Sequence, residues 1–248
     1  MSLSGYRKYL YISEILFVTR IFLVQILIIF SPAMTVAQQA SQGACSMSLD
    51  NAHDYRPGKF VYTTTYKTHD ALKILVESAH FTPEVETLQR GKTASVPGPD
   101  ISFVLRVYPN HHRALVAMVA LGEKEKTSLP RGSTYTVECW LQRALAYQRD
   151  DYLVQMIYAQ FLIKEMRDKE AELQLLSVAE NADDNGYTHN SLGLLYFKLK
   201  KYDRALFHAH QAQSLGLQAP ALMEQLKKVG QWTEPVQRLM LEPLKNSQ

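Results

Sequence analysis

Residues 190–216, NSLGLLYFKLKKYDRALFHAHQAQSLG, read as two short helices, neither of which can bury its apolar face alone. Leu192, Leu195, Tyr196 and Leu199 recur at helical spacing, Lys200-Lys201 breaks the pattern, and Ala205, Leu206, Ala209, Ala212 and Leu215 resume it. The spacing predicts a helix hairpin. Gly193, Ala205 and Ala212 are small where two helices must approach closely, and Leu192, Tyr196 and Tyr202 supply bulk beside them. Such a hairpin needs neighbours of its own kind to cover its apolar face.

The chain offers those neighbours. Moving back by 34 residues places Gly193 on Ala159, Ala205 on Ala171 and Leu192 on Tyr158, so residues 152–185 look like a second copy, with helices expected over 153–166 and 169–181. A further step places Val178 on Ala144, within a helix expected over 134–148 whose partner is expected over 111–124. The loop between them, 125–133 with Pro130 and Gly132, is longer than the turns of the other two hairpins. After Gly216, Leu222, Leu226 and Val229 share one face of a helix expected over 219–229, which suits a terminal cap with a polar outer side.

These residues at these spacings resemble the tetratricopeptide repeat, a helix-turn-helix unit of 34 residues. In that register the last unit runs over 186–219. The resemblance implies an all-α fold: a short tetratricopeptide-repeat solenoid of about three hairpins plus a capping helix, over 109–229. Through HFTPEVETLQRG and YPNHHRAL the chain also resembles small exported tetratricopeptide-repeat proteins of proteobacteria. In this family the first helix of each pair lines a concave groove that takes a peptide or a partner's helix. The matching positions here are Leu153, Met156, Gln160, Ile163 and Lys164 in the middle repeat, and Tyr187, Asn190, Leu194, Phe197 and Lys198 in the last. Leu194 stands where relatives that clamp a C-terminal carboxylate carry asparagine, so that mode of binding is not implied.

Residues 1–37 read as a targeting segment. Arg7, Lys8 and Arg20 precede the apolar run IFLVQILIIF, Pro32 breaks it, and Thr35-Val36-Ala37 offers a cleavage site after Ala37. The competing reading is an uncleaved anchor. Either way the rest of the chain lies outside the cytoplasm, in the periplasm or envelope. The formal charge of +3 falls to +1 once the leader's three cations and Glu14 are set aside, which implies no nucleic-acid or membrane surface.

Two cysteines remain, Cys45 and Cys139, in a compartment that permits disulfides. They either bridge the N-terminal segment to the first repeat or leave Cys139 as a small buried residue and Cys45 unpaired. Residues 38–69 carry little helical signal, and Tyr55, Phe60, Tyr62 and Tyr66 are expected to anchor this irregular segment across the helices. Over 70–108 the helical period returns as an irregular cap: one helix with Leu72, Leu75, Val76 and Ala79 on its face, a second opened by Thr82-Pro83-Glu84 and ending near Gly91, and a third over 100–107. Residues 230–248 form a tail.

No catalytic signature is found. Gly91, Gly98 and Gly132 are isolated rather than gathered in a phosphate-cradling loop, no Gly-x-Ser-x-Gly turn exists, and neither cysteine has a nucleophile's neighbours. His208 and His210 point to opposite sides of one helix and cannot share a cation, while His111-His112 stand at a helix start as cap or solvated pair. Asp150-Asp151 and Asp183-Asp184 recur just before helices and read as caps. The expectation is a non-enzymatic adaptor with no cofactor or metal, binding a protein or peptide partner. The alternative is an accessory of cell-wall or polysaccharide processing, with Tyr55, Tyr62 and Tyr66 stacking on sugars.

Overall fold

In the computed structural model the described residues are Cys45, 48–57, 69–182, 185–218 and 220–235. The leader, the KFVYTTTY stretch, Asp183-Asp184 and the last part of the tail lie outside them. Within them the chain is all-helical, built by helix-on-helix packing. In order the helices are α1 (His69–His80), α2 (Pro83–Glu86), α3 (Gly98–Val107), α4 (His112–Glu125), α5 (Val137–Tyr147), α6 (Tyr152–Lys164), α7 (Asp168–Glu180), α8 (Gly186–Lys198), α9 (Tyr202–Ser214) and α10 (Pro220–Lys228).

The bounds of α8 and α9 are those of α6 and α7 advanced by 34 residues. Helix ends explain why the interval holds. Asp151 and Asn185 each cap the following helix through a side-chain oxygen that accepts from a backbone N–H. At the other ends, Met166 and Lys200 sit in the left-handed region with φ of 59° and 57°. There the N–H of Arg167 bonds back to Leu162 and that of Lys201 to Tyr196, a Schellman closure that satisfies the last carbonyls. A non-glycine residue in this conformation costs about 1 kcal/mol, so two turns accept that strain to keep the hairpins in register.

Each hairpin packs tightly on itself, α6 on α7 and α8 on α9, and α7 lies against α8. Both α6 and α8 are therefore antiparallel to α7 and parallel to each other. The helix α4 runs parallel to α6, because His112 meets Asp151 at their N-terminal ends and Lys164 meets Glu123 at their C-terminal ends. Gly193 permits the last contact of the stack: a Cβ there would lie 2.4 Å from a Leu222 methyl of α10. One apolar core runs through the whole array, from Val76 and Val85 through Trp140 and Leu162 to Tyr196 and Leu226.

Several boundaries differ from expectation, each for a physical reason. The helix opened by Thr82-Pro83 ends at Glu86, because Leu88 takes φ of 57° and buries its side chain. Helix α3 begins two residues before Asp100, which is fully buried and accepts hydrogen bonds from the N–H groups of Lys92 and Thr93, the Thr93 hydroxyl and His80. The 92–99 loop thus wraps around one carboxylate. Gly98 fits only as glycine, since a Cβ would sit 2.1 Å from the Arg131 carbonyl oxygen. Helix α5 starts at Val137 rather than at 134, because Ser133 turns inward to accept the Trp140 indole N–H and Thr136 makes the cap.

The N-terminal strap of residues 48–57 packs across the helices, as expected of Tyr55. Phe60, Tyr62 and Tyr66 lie outside the described residues. Cys45 and Cys139 form a disulfide with Cα atoms 5.3 Å apart. Arg143 is buried without a carboxylate partner among the described residues. It donates to the carbonyls of Leu105 and, more loosely, Arg106, so its charge complements the negative end of α3.

Candidate functional site

The three parallel helices α4, α6 and α8 form the walls of a trough that encloses about 530 Å³. Its lining comes from Val116, Ala117 and Ala120 of α4, Leu153, Met156, Ile157 and Gln160 of α6, and Ser191, Leu194, Leu195 and Lys198 of α8. Residues three and four apart on each helix make these stripes. Glu86, His112 and Arg113 close one end, where Arg113 is paired with Glu86. Lys164 lines the adjoining cleft between α4 and α6 and is held by Glu123. Val116 is half exposed and Leu153 nearly so, which leaves apolar surface open to solvent along the trough.

Of the residues expected to line a groove, Leu153, Met156, Gln160, Leu194 and Lys198 do so, and Lys164 lies beside them. Ile163 of α6 is not in the lining. Nor are Asn190 and Phe197, because the open face of α8 is turned by about one residue, or 100°, from the one that they share. Phe197 packs instead on Tyr202 at the start of α9, ring centroids 5.4 Å apart. Tyr187 is exposed in the first turn of α8, outside the lining. Sequence reasoning placed no groove residue on α4. The long 126–136 connection breaks the 34-residue register there, and only the Val116, Ala117, Ala120 spacing carried the signal.

Beneath the His112 end lies a buried polar cluster centred on Asn110. Its amide donates to Asp54 at 2.8 Å and to Asp151 at 2.9 Å, and its oxygen accepts the Tyr55 backbone N–H at 2.9 Å. Asp151 also accepts from His112 at 2.9 Å and caps α6 through Val154 N–H. Asp54 is gripped by Arg56, whose other arm reaches Asp150. Burial pushes the Asp54 and Asp151 carboxyls up. The hydrogen bonds from Arg56 and Asn110 to the first, and from His112 and Asn110 to the second, outweigh it and hold both below the ordinary carboxylate range.

His111, expected as a cap or a solvated residue, is the N-cap of α4 and fully buried. Its Nδ1 accepts the Ala114 N–H, so the proton sits on Nε2 and is donated to Glu77 at 3.0 Å. Burial keeps this ring below the usual histidine range despite Glu77. Tyr55 stacks on the same ring at 4.0 Å and donates to Glu77. Its face is therefore taken up by packing rather than offered to a sugar. Among the described residues no three His, Cys, Asp or Glu side chains are placed to hold a metal ion.

A second buried pair went unread in the sequence. His189 of α8 and His208 of α9 meet Nδ1 to Nδ1 at 2.9 Å, with Tyr196 stacked on His208. One ring donates and the other accepts, which needs both neutral or a single shared proton. Burial first, then His189 and Arg204, push His208 down to about 4. An unfolded histidine binds its proton near 6.5, so the unfolded chain takes up more protons as pH falls between these values. Stability is then full above about pH 6.5 and is lost toward pH 4 by roughly 3 kcal/mol from this ring. Thermal unfolding followed by circular dichroism at pH 7.5 and pH 5 checks this. His208→Gln should flatten the pH dependence of Tm, and an unchanged slope would refute the assignment.

No family model, curated protein or solved structure matches the chain.

Proposed function

We propose that the chain is a non-enzymatic interaction module of tetratricopeptide-repeat type, exported to the cell envelope, that holds a partner protein's peptide or helix in the trough between α4, α6 and α8. The observation that carries this reading is the trough itself. Three parallel helices present an apolar floor with open Val116 and Leu153, a partly buried Leu194 and polar groups at the rim, the mixture by which partner segments are bound. The exact 34-residue advance of two hairpins supports the repeat assignment. Export, with cleavage after Ala37, is supported by the leader pattern and by a disulfide suited to an oxidising compartment. Among the described residues no helix is long and apolar enough to cross a membrane.

A photo-crosslinking residue at Gln160, in the trough, and at Leu173, exposed on α7, tests the reading in the native envelope. One dominant protein adduct is expected from position 160, absent from position 173 and reduced at least tenfold by Met156→Glu. Equal labelling from both positions, or none from 160, would overturn it. Mass spectrometry of the same material reports whether the mature chain begins at residue 38.

A further inference from the structure

The strap of residues 48–57 is bound at both ends of a continuous path into the trough. At one end Cys45 is fastened to Cys139 in the first turn of α5. Between, the Ser48 carbonyl accepts from Arg143, the Ala52 carbonyl accepts from Tyr147 at 3.2 Å, and the His53 N–H donates to Val107 at 2.8 Å. At the other end Asp54 and Tyr55 seize Asn110, Asn110 holds Asp151, and Asp151 fixes His112. His112 lines the trough, and Asp151 caps the helix whose Leu153 and Met156 form its wall. From Asp54 to His112 every link is a hydrogen bond of 3.0 Å or less.

We infer that the Cys45–Cys139 disulfide is a redox-sensitive latch on the trough: closed, it holds the strap on the Asp54–Asn110–Asp151–His112 path and orders the trough's N-terminal end; reduced, it lets that end loosen. This regulates the binding site proposed above and rests on that reading. Cys45 is the accessible partner, half-buried where Cys139 is buried. A dithiol reductant attacks the Cys45 sulfur. The sulfur of Cys139 leaves as a thiolate in the first turn of α5, where helix N–H groups favour negative charge, and then takes up a proton. The second thiol of the reductant closes on the first and releases Cys45 as a thiol. Two electrons and two protons pass to the two cysteines, and the reductant ends as its own disulfide.

The strap is short and its anchors are few, so its local opening is separable from global unfolding. Hydrogen exchange with mass spectrometry on the chain from residue 38 to 248 tests the latch, with dithiothreitol as the reductant. After reduction, the exchange of amides in the strap and in the first turns of α4 and α6 should rise at least tenfold more than that of amides in α8 and α9, whose own rise reports only the loss of global stability. Asp54→Asn with the disulfide intact weakens the path at its next link and should reproduce the change in α4 and α6 at reduced size. Faster exchange of the strap alone, a uniform rise in every helix, or no change anywhere each overturns the latch. None of these readouts needs a bound partner, so a latch that opens as described while position 160 crosslinks to nothing would sink the adaptor reading and leave the coupling intact.

Discussion

Replacing Asn110 with alanine is expected to lower the unfolding free energy by about 3 kcal/mol, read from the urea midpoint with an unchanged slope. The side chain makes three hydrogen bonds at once, buried ones to Asp54 and Asp151 and a part-buried one from the Tyr55 N–H. Its removal leaves each partner short by one, at about 1 kcal/mol apiece. The two carboxylates keep Arg56 and His112, which prevents a larger loss. The isosteric Asn110→Asp sharpens the test. It places a third carboxylate within hydrogen-bond distance of two others and must be worse than alanine at pH 7 by an additional 1 kcal/mol or more. Protonation relieves that repulsion, so the deficit of the aspartate variant relative to alanine should shrink as pH falls from 7 toward 5. An Asn110→Asp chain as stable as the parent would show that the cluster does not have the arrangement described.

How much of this was legible in the sequence depended on separation along the chain. The hairpins announced themselves because Leu192, Leu195, Tyr196 and Leu199 are local, and because a 34-residue step returned similar residues. Asp151 was readable as a cap for the same reason, since a cap needs only its own helix. Its second role was not. The Asn110 hub joins residues 56 and 41 positions apart, and nothing in Asn110 or Asp54 taken singly marks them as partners. The His189–His208 pair escaped because the eye compares His208 with His210, two residues on, while its partner faces it from the neighbouring helix. On α8 the trough takes Ser191 and Leu195 beside Leu194 and Lys198, in place of Asn190 and Phe197, since positions carried over by a 34-residue step fix a helix's phase only within a turn. On α4 the extended connection to α5 removed the register altogether. The turns at Met166 and Lys200 lacked the glycine that ordinarily signals a left-handed cap, so only periodicity located them.

Removing the disulfide by Cys45→Ala together with Cys139→Ala is expected to cost about 4 kcal/mol. The bridge spans 94 residues, and in the chain-entropy account a loop of that length withdraws about 4.7 kcal/mol of freedom from the unfolded state. The small cavity left at buried Cys139 adds to the loss, while strap opening in the folded state restores some entropy and subtracts from it. Because the main effect lies in the unfolded chain, the variant should expose more surface on unfolding, so the urea slope rises as the midpoint falls. Folding and unfolding rates separate the contributions further. Loop closure is restored early if α5 and the strap meet in the transition state, in which case the loss appears in the folding rate. If the strap docks last, unfolding accelerates instead. A latch that opens without the rest of the fold requires the second outcome, since the helices must stand before the strap arrives. A variant that folds more slowly but unfolds at the parental rate would place the strap in the folding nucleus and make independent opening untenable.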